Sequence, residues 1–141
     1  MQIHTPSAGG VVIHDDKVLV IYSEKRQTYE FPKGTIDEGE SKEAAALREV
    51  KEETGYEAEI VESLGDITYE FNSKDGIHYQ KTVTYFLMKP LSTKNPQPNL
   101  QKGEDFTASW MPIDEALNTL TYEDTKELLK EGVKRCAYIT K

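Results

Sequence analysis

Three glutamates, Glu49, Glu52 and Glu53, stand close together in the chain. On an α-helix, Glu49 to Glu52 is an i,i+3 step and Glu49 to Glu53 an i,i+4 step, so the three carboxylates project to one side. Like charges at those spacings repel and weaken an isolated helix. A divalent cation bound by carboxylate oxygens would offset that repulsion. Just before them, residues 34–40 read GTIDEGE, a run rich in Gly and acidic residues.

The element that must carry these carboxylates is a helix from Glu40 to Thr54. Ser41 is placed to cap its start, acidic residues fill the early turn, and Gly55 stands where a left-handed C-terminal glycine belongs. At about 100° per residue, Ala46, Leu47, Val50 and Thr54 form one stripe, and Ala45, Glu49, Glu52 and Glu53 fall on another arc. The first arc is expected to pack on a sheet and the second to present oxygens.

Around this helix the pattern alternates between strands and turns. Ala8–Ile13 and Val18–Tyr22 read as a hairpin joined at His14–Lys17, and Glu24–Thr28 as a polar loop. Lys33–Gly39 reads as a loop with Gly near each end. Ala58–Phe71 and Lys81–Lys89 are expected strands joined by a turn at Asn72–Gly76, and Lys94–Asn99, with Pro96 and Pro98, an expected loop. Phe106–Met111 is an expected strand; Ile113–Leu120 and Glu123–Lys134 are expected closing helices. This order predicts a mixed α/β (α+β) fold with helices on both sides of a sheet, as one domain over residues 1–141.

Composition narrows the function classes. With 37% hydrophobic and 30% charged residues the chain can bury a core beneath a very polar surface. A single cysteine, Cys136, rules out an intrachain disulfide and a cysteine-rich metal site. No apolar run approaches the roughly 18 residues of a membrane span, and the first residues lack the apolar core of a secretory signal. A cytoplasmic protein with no membrane partner is the expectation. The formal net charge of −8 disfavours binding to a nucleic acid polymer. It leaves room for a small phosphorylated ligand, because a bound divalent cation inverts the charge of an acidic pocket.

The spacing of the central segment permits a family comparison. Gly34, five residues, Glu40, seven residues, then Arg48-Glu49-Val50-x-Glu52-Glu53-x-Gly55-Tyr56 resembles the Nudix box, G-x5-E-x7-R-E-U-x-E-E-x-G-U, where U is bulky and apolar. Tyr56 at the last position is the loosest match. The flanks resemble the family too: SAGGVVI and FPKG before the box, and Trp110-Met111-Pro112 with an Asp-Glu-Ala helix start after it. A solvated acidic helix with ordinary Glu–Lys pairing would account for the glutamates alone, but not for the whole spaced box.

The resemblance implies a Nudix-type α/β/α sandwich with a mixed central sheet and a loop-helix-loop catalytic segment. It implies hydrolysis of a phosphoanhydride in a nucleoside diphosphate linked to another group, with Mg²⁺ or Mn²⁺ as cofactor. Carried over position by position, Glu49 and Glu53 are metal ligands, Glu52 is a third ligand or the base that activates water, and the Gly34 carbonyl joins the shell. Glu40 and Arg48 form an ion pair that orients Glu49, and Gly55 is structural. Glu104 is a further carboxylate candidate, against the plain alternative of a surface acid between Lys102 and Asp105.

Substrate expectations rest on residues outside the box. Lys33, just before Gly34, resembles a lysine of family members that act on diadenosine polyphosphates and diphosphoinositol polyphosphates, where an ammonium meets a long phosphate chain. Lys81, Val83 and Tyr85 share one strand face with Tyr79 at its start. The K-T-V-x-Y pattern resembles that of small diadenosine tetraphosphate hydrolases, which makes Lys81 a phosphate contact and Tyr79 or Tyr85 a stacking surface for adenine. The alternative for Val83 and Tyr85 is sheet core. The expected activity is therefore hydrolysis of a dinucleoside polyphosphate, diadenosine tetraphosphate giving ATP and AMP, by a monomer or homodimer. A MutT-type nucleoside triphosphate pyrophosphatase and a catalytically weak nucleotide-binding module are the alternatives.

Overall fold

The computed structural model describes residues 2–94 and 96–139. The expected domain span thus includes positions 1, 95, 140 and 141, and the expected loop Lys94–Asn99 includes position 95, which lie outside the described residues. The chain runs β1 (Gln2–His14), β2 (Lys17–Ser23), β3 (Thr28–Glu30), β4 (Lys33–Thr35), α1 (Lys42–Thr54), β5 (Ala58–Asn72), β6 (His78–Pro90), β7 (Phe106–Pro112), α2 (Ile113–Thr119) and α3 (Glu123–Ile139).

The strands form a mixed sheet in the order β3-β2-β1-β6-β5, with β4 pairing β1 and β7 pairing β2. The β1–β6 pair is parallel, from Gln2 opposite His78 to Val12 opposite Met88, and the other pairs are antiparallel. At the β1–β2 turn, Asp15 and Asp16 both take positive φ, 47° and 25°, as a two-residue hairpin connection requires.

Two apolar layers flank the sheet. One, with Val11, Val83, Leu87 and Leu129, lies under α2 and α3; the other, with Ala8, Val12, Val50 and Met88, lies under α1. Helices therefore cover both faces, the architecture that the element order predicts. Fully buried Val50 anchors α1, a side chain whose burial contributes roughly 1.5–3 kcal/mol.

Several boundaries differ from the sequence reading, each for a tertiary reason. β1 begins at Gln2 rather than Ala8 because β6, starting at His78 rather than Lys81, pairs with it from Gln2 to Val12. Within the expected loop Lys33–Gly39, Lys33–Thr35 is a short strand held against Ser7, Ala8 and Gly9. The helix proper starts at Lys42, with the Ser41 hydroxyl accepting from the Ala44 N–H at 3.0 Å, which leaves Glu40 in the loop. The two arcs of α1 do not divide into core and solvent. Glu49 and Glu53 are buried beside Ala46, Val50 and Thr54, and Leu47 is only half-buried, because β4 lies across the glutamate arc.

Candidate active site

The site is built from the crossing of β4 over α1. Gly55 ends α1 at φ 83°, its N–H donating to the Lys51 carbonyl at 2.7 Å. A side chain there would both strain the backbone and strike the backbone of Gln97 at 2.8 Å. At the other end Gly34 passes so close to Glu49 that a Cβ would sit 2.2 Å from the carboxylate carbon. Only glycine lets the backbone approach a buried carboxylate this closely.

Arg48 organises the acids. Its Nε and Nη2 donate to the two oxygens of Glu40 at 2.8 and 2.9 Å, a bidentate fork. Nη2 also reaches the Thr35 carbonyl at 3.0 Å, and Nη1 donates to Glu49 at 2.7 Å and Glu52 at 3.2 Å. The hydrogen bonds from Arg48 hold the Glu40 carboxyl down at about 2, and the same pairing raises the arginine's own pKa. One guanidinium thus ties the loop, Glu49 and Glu52 into a single frame.

The two buried glutamates have the opposite electrostatics. Burial, opposed by Arg48 and reinforced by Glu52 and Glu104, raises the Glu49 pKa. Glu53, 2% exposed, accepts from the Lys33 backbone N–H at 2.9 Å. Burial, with smaller contributions from Glu49 and Glu104, still pushes its carboxyl up to about 9.

These groups line a basin of about 470 Å³ that includes Gly34, Glu49, Glu52, Glu53 and Glu104. The donors are oxygens only, which suits a hard divalent cation such as Mg²⁺ or Mn²⁺. Among the described residues no three His, Cys, Asp or Glu side chains are grouped closely enough to hold a metal as they stand. The carboxylates are gathered around Arg48, so side-chain rotation of Glu49 and Glu52 would have to complete a shell. Glu104 is drawn back by its own turn, accepting from the Gln101 N–H at 2.6 Å.

Beside the basin lies a second cavity of about 380 Å³, walled by Ile67, Tyr69, Phe71, Tyr85 and Tyr122, with Asp124 and Thr125 at the start of α3. Lys33 and Lys81 border both spaces. Burial, then the charges of Lys33 and Arg26, lower the Lys81 pKa.

Of the residues read from sequence outside the box, Lys33 and Lys81 therefore stand between the two spaces. Tyr85 is 2% exposed, meets Phe31 edge to face at 6.2 Å and borders the cavity, so it is both core and wall. Tyr79 is not among the residues that line the cavity; it pairs across the strands with Phe71, and its ring stacks on that residue at 5.0 Å and 7°.

Sequence reasoning missed Arg26, Glu30, Tyr69, Phe71 and Tyr122. Tyr69 and Phe71 had a signal. In the β5–β6 hairpin they lie opposite Lys81 and Tyr79, so carrying the register back from the turn points to them. Arg26, in an irregular connection, and Tyr122, between α2 and α3, had none.

Three comparisons bear on this arrangement. The NUDIX domain family model matches residues 3–132. The chain is 35% identical over 136 residues to "Putative mutator protein MutT4" of Mycobacterium tuberculosis, spanning 89% of this chain and 53% of that protein. It is 31% identical to an "8-oxo-(d)GTP phosphatase" of Mycolicibacterium smegmatis, over 94% of this chain and 42% of that one. The chain thus spans about half the length of these curated relatives. A solved structure of a C. elegans Ap4A hydrolase in a binary complex superposes with a TM-score of 0.75 at 24% identity, covering 94% of this chain and 98% of that one, a likeness of fold.

Proposed function

The chain belongs to the Nudix family, and on that premise we propose that it hydrolyses a phosphoanhydride bond in a nucleoside polyphosphate, with a dinucleoside tetraphosphate as the preferred substrate. The observation that carries this reading is the pairing of two unlike spaces. A basin of buried carboxylates meets an aromatic-walled cavity, with Lys33 and Lys81 at the junction. A substrate that fills both has a base, a phosphate chain and a bond to be cut beyond it.

Glu49, Glu52, Glu53 and the Gly34 carbonyl would hold a divalent cation, with Glu104 within electrostatic reach. Such a cation neutralises phosphate charge and acidifies water in a phosphoanhydride hydrolysis. The chain's own residues supply the rest. Arg48 gathers Glu49 and Glu52 side by side, and the Lys33 N–H fixes Glu53. Glu52, the least buried of the three, is reachable by solvent and takes the proton of the attacking water. Lys33 and Lys81 bind phosphate oxygens as point charges. Tyr69, Phe71 and Tyr122 offer faces for a base, an interaction of roughly 1–3 kcal/mol.

A second reading is favoured by the M. smegmatis relative, whose name is that of an 8-oxo-(d)GTP phosphatase: cleavage of a nucleoside triphosphate to monophosphate and pyrophosphate. A substrate panel with Mg²⁺, with products resolved by chromatography, separates the two. ATP and AMP from diadenosine tetraphosphate, at a kcat/KM above that for any nucleoside triphosphate, support the first reading. Monophosphate and pyrophosphate at a higher kcat/KM support the second. No turnover with nucleotide still bound would make the chain a binding module.

A further inference from the structure

Three side chains border both spaces, and all three are cations: Arg26, Lys33 and Lys81. Behind two of them lies Glu30, only 6% exposed. A carboxylate buried this deeply is costly unless its oxygens are paired. Each oxygen of Glu30 has a partner. Oε2 accepts from the Thr28 hydroxyl at 2.5 Å and from Arg26 Nη2 at 3.0 Å, and Oε1 lies 3.5 Å from Lys33 Nζ.

Arg26 is fixed at two further points although its side chain is half exposed. Its guanidinium stands over the Phe106 ring at 5.7 Å, and its backbone N–H donates to Ser23 Oγ at 3.2 Å. Ser23 Oγ in turn donates to Asp105 at 3.0 Å. One buried anion therefore anchors two of three cations and leaves a surplus of positive charge facing the junction. A polyanion that reaches from the carboxylate basin to the aromatic cavity must cross it.

We propose that Arg26 is a third phosphate-binding side chain, and that Glu30 is the positioning residue that aims Arg26 and Lys33 together at the phosphates lying between the basin and the aromatic cavity. The proposal rests on the reading of the cleft as a polyphosphate site. It separates Glu30 from an ordinary structural acid by the sign of its effect. Removing the carboxylate's charge strengthens the Coulomb attraction for a polyanion and frees the two cations from their aim.

The test is a double-mutant cycle of Arg26→Ala and Glu30→Gln, read by steady-state kinetics with a dinucleoside tetraphosphate. Binding of inorganic tripolyphosphate is followed in parallel by calorimetry, and folding by a thermal melt. Arg26→Ala is expected to weaken tripolyphosphate binding about tenfold and to raise KM. Glu30→Gln is expected to lower kcat about tenfold or more with KM unchanged or reduced, and the two changes are expected not to add. A folded Glu30→Gln with wild-type kcat and KM, or strictly additive changes, would overturn the positioning role. If Glu30→Gln does not fold, Arg26→Ala decides alone, since its partly exposed side chain is not needed for the core; unchanged tripolyphosphate affinity overturns the proposal. If the wild type hydrolyses no nucleotide yet Arg26→Ala still weakens tripolyphosphate, the clamp stands and the hydrolase reading falls.

Discussion

The carboxylate basin and the aromatic cavity share a border but are made differently. The basin takes three of its glutamates, Glu49, Glu52 and Glu53, from one helix beside the loop at Gly34, with Glu104 the distant carboxylate, and Arg26, Lys33, Lys81, Gln101 and Phe106 complete its wall. The cavity draws on the β2–β3 connection, Glu30 of β3, Lys33 of β4, β5, β6, Tyr122 and the start of α3. The basin's acids are held by a dense local network around Arg48, while the cavity's rings Tyr69, Phe71 and Tyr122 are exposed at 37%, 46% and 47%. On the proposed reading, the difference teaches that the acids for the chemistry come from one loop and helix, whereas the groups for substrate choice depend on strand register and long-range packing.

The largest effect that can break this division is expected from Glu53→Gln. It should cut kcat by several orders of magnitude with the fold intact, as measured by steady-state turnover and a thermal melt. Near wild-type activity would remove the carboxylate from the chemistry. Gly34→Ala comes next. A Cβ 2.2 Å from the Glu49 carboxylate carbon must displace either β4 or the acid, and a loss of roughly a hundredfold or more in kcat is expected. A comparable substitution in the cavity wall should move KM instead.

Smaller changes sharpen the border between the regions. Lys33→Ala should reduce kcat/KM about tenfold for a dinucleoside tetraphosphate and less for a nucleoside triphosphate, since a shorter chain depends less on the junction. Equal losses would mean that Lys33 serves only the basin. The basin should also carry a pH signature in metal-free protein. Burial raises Glu53 from 4.5 to about 9, so the folded state keeps a proton that the unfolded chain releases. Its contribution to stability is complete below about pH 4.5 and is lost as the pH rises through about 9. Melting temperature should therefore fall across that interval, and Glu53→Gln should flatten the fall while abolishing turnover.

How far the sequence could be read follows the same division. The spacing from Gly34 to Tyr56 located the carboxylates and the two helix caps, Ser41 and Gly55, because each depends on neighbours a few residues away, and the resemblance it carries pointed to the Glu40–Arg48 pair; the helix start at Glu40 was set two residues early. The burial of Glu49 and Glu53 was not legible, because it depends on β4 crossing the helix, and β4 exists only through its pairing with Ser7, Ala8 and Gly9. Tyr79 and Tyr85 were chosen by alternation along one strand. Alternation gave the right face but not the right surroundings, since Tyr85 descends into the core and the Tyr79 ring is stacked on Phe71. Arg26 and Glu30 were hidden for other reasons: Arg26 sits in an irregular connection with no periodicity to betray it, and Glu30 ends the three-residue strand β3, where its burial shows only in the network with Thr28, Arg26 and Lys33.

The central claim is that one region does the chemistry and the other selects what reaches it. Its most direct test is kcat and KM for a dinucleoside tetraphosphate and for a nucleoside triphosphate, in the wild type and in Tyr69→Ala/Phe71→Ala/Tyr122→Ala. Loss of the aromatic faces is expected to raise KM for the dinucleotide by roughly tenfold or more, with kcat nearly constant and its preference over the triphosphate collapsed. A fall in kcat that is equal for both substrates, with KM and preference unchanged, would contradict the account.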